Sequence, residues 1–422
     1  MHNRKSNSYA KSSANTELKT SRQAINMAWL ILICSLILAA IDYRIAKRVI
    51  GSENRRALKY TVSILWSLDF IPQIFTVITF IFFRDNPTWL IMVGNWLLLT
   101  YFILAVARAP FNIVFLASQN RLARLLGAAI GLTIVIALLH GTISTRTDYT
   151  INRITIESEK IPESFSGYTI VQLSDLHVGT MVNPEKEISD ITAICNAANP
   201  DIIAMCGDLV NIRHEELTPS IKNALKKFSA KDGIYSITGN HDVGVYIKDS
   251  LTYSPDNNTH QLILQQKTLG WRVLDNESEK IYRAEDSIYI TGISYSKELQ
   301  DHRHSRHLPE TDFASAYDGV DANSFSITLS HIPQLWDKIL QESSSDLTLA
   351  GHVHSMQIKF PIGERGISPA MILYKRWSGL YEEQGRWLYI NDGIGCVGFP
   401  MRIGAKPEIT IFELRPKSPN SN

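Results

Sequence analysis

Four long apolar runs fill most of the chain between Ala24 and Ile143, and they restrict its fold more than any other feature. Inside a bilayer every backbone N–H and C=O must be satisfied within the segment, so runs of this length are admitted only as helices. The first is Ala24 to Ile41, broken only by Asn26 and Ser35; the others are Tyr60 to Phe83, Trp89 to Ala107 and Leu125 to Ile143. Each approaches or exceeds the roughly 20 residues that cross a hydrocarbon core. Arg44, Lys47, Arg48, Trp66, Arg84, Trp89, Trp96, Arg121 and Arg124 stand where interfacial anchors belong. We read four transmembrane helices. A cleaved signal peptide fits the first run poorly, because a long polar lead precedes it and no small-residue cleavage pattern follows.

Lysine and arginine in the loops set the orientation. Loops one and three carry nine between them: Arg44, Lys47, Arg48, Arg55, Arg56, Lys59, Arg108, Arg121 and Arg124. The opposite face carries eight: Arg4, Lys5, Lys11, Lys19, Arg22, Arg84, Arg146 and Arg153. The balance expects both termini outside a multi-pass cell-membrane protein, with everything after Thr150 extracytoplasmic. Asp69 lies within the second run, three residues before Pro72. At that depth an acid is either a functional group or a protonated partner for the backbone freed by the proline.

After Thr150 the pattern turns soluble, with β-rich runs alternating with helical spacing. Strands are expected at Thr150 to Ile156, Tyr168 to Leu173, Asp201 to Cys206, Gly233 to Thr238, Trp271 to Leu274, Ile281 to Ala284, Ser287 to Gly292, Ser324 to Leu329, Asp346 to Ala350, Trp387 to Asn391 and Glu408 to Leu414. Helices are expected at Pro184 to Asn199, Glu216 to Phe228, Gln261 to Leu269 and Pro333 to Glu342. Such alternation predicts helices on both sides of a β core. The formal net charge of +1 gives no argument for a nucleic-acid partner. Four cysteines without a Cys-x-x-Cys make a thiolate zinc site or redox pair a poor expectation, and Cys206 reads as a small core hydrophobe.

Five short blocks end expected strands: Ser174-Asp175-Leu176-His177, Gly207-Asp208, Gly239-Asn240-His241-Asp242, Ser330-His331 and Gly351-His352-Val353-His354. One such block occurs often by chance. Five in succession, each at the carboxyl end of a strand where α/β proteins gather ligands, predict a site. Carboxylate, amide and imidazole without thiolate suit Mn, Fe or Zn. Two divalent metal ions roughly 3.5 to 4 Å apart can hold the attacking and leaving oxygens of a displacement at phosphorus. One carboxylate must then touch both ions. Asp208 is the candidate, because Gly207 lets its turn run close to the centre.

With these blocks in this order, residues from about Ile154 to Leu414 resemble the calcineurin-like metallophosphoesterases. The resemblance is to the membrane-associated branch, on Gln357, Gly379-Leu380-Tyr381 and Gly398-Phe399-Pro400-Met401-Arg402. It implies a central β-sandwich flanked by helices, and hydrolysis of phosphomonoesters or phosphodiesters. It also implies one ion on Asp175, His177, Asp208 and His354, a second on Asp208, Asn240, His331 and His352, and His241 facing the leaving group. Asp242 is placed either to orient His241 or to serve the fold. Ser355-Met356 departs from the small residues common at this point in related sequences; it reshapes the loop and removes no ligand.

Weaker candidates remain. Arg402 either steadies a substrate phosphate or pairs with a surface carboxylate. Asp301-His302-Arg303-His304-Ser305-Arg306-His307 is rich in histidine, but its arginines repel a cation and it reads as a solvated loop. His214 and His260 read as surface residues. Met371 to Tyr381 sets Ile372, Leu373, Tyr374, Trp377, Leu380 and Tyr381 beside Lys375 and Arg376. That mixture suits a lipid headgroup boundary, with Trp377 as a substrate contact, or else packs on the domain's own core. The expected organisation is a polar leader (1–23), a transmembrane region (24–143), a connector with the first strand (144–166), a metallophosphoesterase domain (167–416) and a tail (417–422). The expected partners are the lipid bilayer and a phosphate ester borne by a lipid or lipid-linked group, such as a UDP-diacylglucosamine-like molecule. A transporter or receptor with a regulatory phosphoesterase-like domain is the alternative.

Overall fold

The computed structural model describes residues 88–118, 120–247, 254–296, 308, 310–363 and 365–417, with isolated positions between 37 and 78. The chain divides into two compact units, one helical and reaching His140, the other mixed and beginning at Gly141. The leader, Asp69, the 301–307 segment and most of the first two apolar runs lie outside the described residues.

In the helical unit, α1 (Thr88–Ala117) runs past its apolar stretch through Arg108 and Pro110, and α2 (Arg121–Ile143) follows. Both are long and apolar enough to cross a membrane by length and composition. They pack through small residues. A Cβ on Gly131 would overlap the Ala107 carbonyl, and one on Gly127 would meet the Pro110 carbonyl at 2.9 Å. This is the close backbone approach that Gly-x-x-x-Gly permits between apolar helices. Asp42 accepts a hydrogen bond from Asn112 Nδ2 at 2.8 Å and lies 3.4 Å from Arg108 Nη2, so the acid is paired along α1.

Alternation along short strands builds the second unit. Its elements in order are β1 (Thr150–Ser158), β2 (Tyr168–Leu173), α3 (Pro184–Ala197), β3 (Ile202–Met205), α4 (Pro219–Leu225), β4 (Gly233–Ser236), α5 (Pro255–Thr268), β5 (Arg272–Val273), β6 (Glu277–Arg283), β7 (Asp286–Ile293), α6 (Phe313–Ala316), β8 (Ser326–Ser330), α7 (Trp336–Glu342), β9 (Leu347–Ala350), α8 (Ala370–Leu373), β10 (Gly379–Glu383), β11 (Arg386–Ile390) and β12 (Glu408–Pro416). They form two six-stranded sheets, β1-β12-β2-β3-β4-β5 and β10-β11-β9-β8-β7-β6. Tyr168, Ile170, Ile202 and Ala204 from the first sheet meet Ile290, Ile327, Leu329, Leu347 and Leu349 from the second. The intervening residues Val171, Leu173, Ile203 and Met205 turn outward onto Ile188, Ile191, Ile221 and Leu225 of α3 and α4. On the other side Ile293, Ala350, Leu388 and Ile390 pack on Trp336 and Ile339 of α7. The result is helices, sheet, sheet, helices. A fully buried Ile or Leu contributes about 1.5–3 kcal/mol, and strands apolar on both faces are the kind that sit between two such layers.

Several expected boundaries move. The helix expected at Glu216 to Phe228 is a single 3₁₀ turn (His214–Glu216) followed by α4. Glu216 is instead consumed by its own loop, accepting from the amides of Asn211, Ile212 and Arg213, and the helix restarts at Pro219 with Thr218 as its cap. Helix α5 starts earlier than Gln261, capped by Ser254 with Pro255 in its first turn. The span expected as one helix from Pro333 divides into a 3₁₀ turn and α7. Strand β10 was not expected, because Gly379-Leu380-Tyr381-Glu382-Glu383 lacks the β-rich composition of its partner β11.

Candidate metal centre

Strands β2, β3 and β4 run parallel in the first sheet, and β8, β9 and β11 run parallel in the second. Their carboxyl ends deliver the five blocks to one place. Atoms of Asp175, His177, Asp208 and His354 lie within 4.8 Å of one another, and so do atoms of Asp208, His331 and His352. The two groups share Asp208. Asn240 joins the second: its Oδ1 lies 3.0 Å from His331 Nε2 and 2.9 Å from His352 Nδ1. Within the cluster His354 Nε2 is 3.0 Å from Asp175 Oδ1, and His331 Nε2 is 3.1 Å from Asp208 Oδ2.

Hydrogen bonds outside the cluster aim these atoms inward. The carbonyl of Cys206 can only accept, so His331 donates its Nδ1–H there at 2.8 Å and turns Nε2 toward the cluster. A ring held this way by a backbone carbonyl is the usual arrangement of a metal-ligating histidine. Tyr246 Oη accepts from Asn240 Nδ2 at 2.8 Å, which turns the amide oxygen to the cluster. Both ring nitrogens of His177 and Oδ2 of Asp208 are buried without a hydrogen-bond partner. Buried polar atoms without partners are costly, and here they converge. The residues present therefore fit a pair of cations: carboxylate, amide and imidazole donors around one shared carboxylate.

The backbone is strained at the same points. Asp175, His177, Asp208, His352 and His354 all adopt φ between 39° and 70°. Such left-handed non-glycine residues cost about 1 kcal/mol or more each and cluster at functional sites. Gly207, at φ +85°, could not be replaced freely, since a Cβ would come within 2.7 Å of Gly239 N and 2.9 Å of His331 Nδ1.

Charge crowding shapes the protonation states. Burial opposes ionisation of Asp175, yet the His354 and His331 rings hold its carboxyl well below the ordinary range. Burial and the neighbouring His331 push His352 down to about 3. Burial also lowers His331, but Asp208 and Asp175 outweigh it and raise the ring to about 9. Asp175 and Asp208 thus lean toward the anionic carboxylate, and His177 and His352 toward the neutral imidazole.

Residues 168–356 match the calcineurin-like phosphoesterase family. The chain carries a calcineurin-like metallophosphoesterase domain. A transmembrane protein with metallophosphoesterase domain from Danio rerio is 28% identical, covering 92% of this chain and 89% of its own length. The metallophosphoesterase YkuE of Bacillus subtilis is 29% identical over 62% of this chain and 84% of its own. A metallophosphoesterase of Aquifex aeolicus is 25% identical over 67% of this chain and 98% of its own. The chain is thus a hydrolase of phosphoric ester bonds, with a buried Asp/His cluster able to bind metal.

Asp242, Arg402 and Trp377 take structural places, an alternative the sequence had left open for Asp242 and Trp377 and had not offered for Arg402. Asp242 does not face the His241 ring. Its carboxylate accepts from the amides of Asp208 (2.7 Å), Gly239 (2.8 Å), Leu209 (3.0 Å) and Val210 (3.2 Å), binding the Asp208 turn to the Asn240 turn. Burial, then the charge of Asp208, push that carboxyl up to about 7. His241 is oriented instead by the Asn211 carbonyl, which accepts from Nδ1 at 2.6 Å, and by stacking on Tyr246 at 4.3 Å. Arg402 is fully buried, and its guanidinium donates to the carbonyls of Asp392, Gly395 and Ala405. It ties a loop together and has no face for substrate. Trp377 is buried against Val353, Ala370 and Tyr374, with Lys359 Nζ 5.7 Å from its ring centre, so it packs beneath the loop rather than contacting substrate or lipid. Asn211, Tyr246 and the Cys206 carbonyl went unnoticed in the sequence, because their contributions come through backbone oxygens or a ring outside any metal-ligand pattern. His214 is held by Gln265 and His260 is exposed.

Proposed function

We propose that this chain is a membrane-anchored phosphohydrolase with a two-metal centre, cleaving phosphomonoesters or phosphodiesters borne by a lipid or lipid-linked group. The observation that carries the reading is Asp208, whose carboxylate is common to both ligand groups. One ion is assigned to Asp175, His177, Asp208 and His354, the other to Asp208, Asn240, His331 and His352. Mn, Fe and Zn all suit these donors. When bound, the metal pair supplies Lewis-acid polarisation of the phosphoryl group and an activated water.

The remaining chemistry belongs to the chain. His331 and Asn240, fixed from behind by Cys206 and Tyr246, keep their inward atoms in place without reorganisation. His241 has its Nδ1–H committed to Asn211, so Nε2 is the nitrogen that exchanges a proton with the leaving oxygen. Burial holds this ring below its ordinary pKa, and an arriving phosphate dianion works in the opposite direction, favouring the protonated acid.

Membrane anchoring is supported by α1 and α2, and by the similarity to the Danio rerio transmembrane protein, whose 92% coverage of this chain exceeds the mixed unit alone. The nine-to-eight excess of basic residues in loops one and three supports an extracytoplasmic catalytic unit. Purified protein assayed with Mn²⁺ against nitrophenyl mono- and diesters, beside Asp208→Ala, tests the enzymatic part. Hydrolysis that needs metal and disappears in the variant is expected; absent or metal-independent hydrolysis refutes it. A reporter fused after Asn422 tests the orientation.

A further inference from the structure

Met356, Phe360, Ile362, Ile367, Met371, Ile372, Leu373 and Leu380 are all exposed, with Ile372 at 82%, Leu373 at 68% and Ile362 at 61%. Other exposed large hydrophobics of the mixed unit, such as Ile151, Val182, Leu264 and Tyr282, are scattered along the chain. Concentration of this kind marks an interaction surface. The segment is not a collapsed loop of chance shape. Phe360 and Ile367 exchange backbone hydrogen bonds across a narrow hairpin, and the Ser355 carbonyl accepts from Ser368 Oγ at 2.6 Å. Beneath them Val353, Ala370, Tyr374 and Trp377 form a small core of their own. The apolar tips are therefore held outward by a built platform.

Two connections say what covers it. The first leads to the end of α2. Arg402 N donates to the Gly141 carbonyl in the last turn of α2, the next residue, Ile403, accepts from Lys359 N at 2.9 Å, and Ile403 N donates to Gln357 at 2.8 Å. The hairpin is thus hydrogen-bonded, within the mixed unit, to Gly141, the residue at which that unit follows on from a bilayer-length apolar helix. The second leads to the metal centre. Met356 follows His354 by two residues, and the Tyr374 ring stands edge-on to His352 with centres 6.5 Å apart. With Lys359 paired to Asp392 at 2.6 Å, Arg365 and Lys375 still outnumber the one acid of the segment, Glu364, which suits an anionic headgroup layer.

We infer that residues 356–373 form a membrane-docking face that seats in the same bilayer α2 spans, holding the mouth of the metal centre at the lipid headgroups. The inference rests on the membrane-anchored reading and gives it a specific surface: the substrate arrives laterally from the bilayer. Met356 contributes to this face through its exposed side chain, while Ser355 Oγ donates to Asp392 at 2.6 Å and secures the turn.

The test is spin labelling of the full chain in nanodiscs, in a Cys34→Ser background, the cysteines at 195, 206 and 396 being buried. Single substitutions Ile372→Cys, Ile130→Cys on α2 and Tyr282→Cys are compared for relaxation by oxygen, which concentrates in lipid, and by a water-soluble nickel chelate. Labels at 372 and 130 are expected to respond to oxygen and resist nickel, with 282 the reverse. Nickel access at 372 equal to that at 282, while 130 stays in lipid, overturns the docking face and leaves the anchor standing. Protection of 372 from both agents puts the face against protein and also overturns it. Nickel access at 130 removes the anchor itself, and the docking face with it.

Discussion

Replacing Asp242 with Asn separates two accounts of this residue, because its carboxylate accepts four backbone N–H groups at 2.7 to 3.2 Å while His241 Nδ1 bonds to the Asn211 carbonyl. The amide keeps one acceptor oxygen. With that oxygen on Asp208 N and Gly239 N, the new NH₂ confronts the amides of Leu209 and Val210, which are then left unsatisfied in a site with no exposure. Two bonds to a charged acceptor are worth about 1.5–3 kcal/mol each. Removing a carboxylate that burial and Asp208 already push up to about 7 relieves part of that loss. The net expectation is a destabilisation of about 2–3 kcal/mol. Because the lost bonds position the Asp208 turn, affinity for Mn²⁺ should fall about 10- to 100-fold, the usual effect of loosening a ligand's support. Titrating Mn²⁺ into metal-free wild type and Asp242→Asn by calorimetry, with kcat measured at saturating metal, gives both numbers. Unchanged metal affinity with a fall in kcat alone would refute this reasoning and return Asp242 to a role behind His241.

Two further substitutions probe other assignments. Arg402→Met removes four hydrogen bonds to three carbonyls and should cost on the order of 3 kcal/mol of stability, read as a lower melting temperature, while KM for a soluble ester in the folded fraction stays put; a raised KM without destabilisation would restore it as a phosphate contact. Burial, then Asp392, hold the Glu408 carboxyl above its ordinary value of 4.5. A folded-state pKa raised in this way contributes stability that is complete below the unfolded value and is lost as pH rises through the folded one. Wild type should therefore lose melting temperature relative to Glu408→Gln as pH climbs above 4.5, and parallel curves would contradict the assignment.

Much of the centre was legible because its ligands are distinctive residue types at the ends of strands whose composition is equally distinctive. Asp175, His177, Asp208, Asn240, His331, His352 and His354 needed only their order and their strands to be brought forward. What the sequence conceals is the backbone. Asp242 and Arg402 look like catalytic and substrate-binding residues by type, yet their partners are amides and carbonyls, which every residue carries and no sequence pattern marks. Trp377 looked interfacial beside Lys375 and Arg376; the structure buries it and exposes Ile372 and Leu373 in its place, a choice made by the turn of α8. The left-handed conformations at five of the expected ligands are invisible in a sequence for the same reason, since Asp and His announce chemistry and only the fold imposes φ. Glu216 read as helix because its composition fits one, and it was taken instead by three loop amides.

The central claim is a pair of ions sharing one carboxylate, and metal counting on the full-length protein tests it most directly. After chelation and reconstitution with Mn²⁺, mass spectrometry of the metal content should find two ions per chain in wild type, with hydrolysis of a nitrophenyl ester rising as the second is bound. Asp208→Ala should lose both ions or retain them only weakly, because its side chain serves both ligand groups. Two firmly held ions and full activity in Asp208→Ala, or an active wild type holding none, would contradict the account.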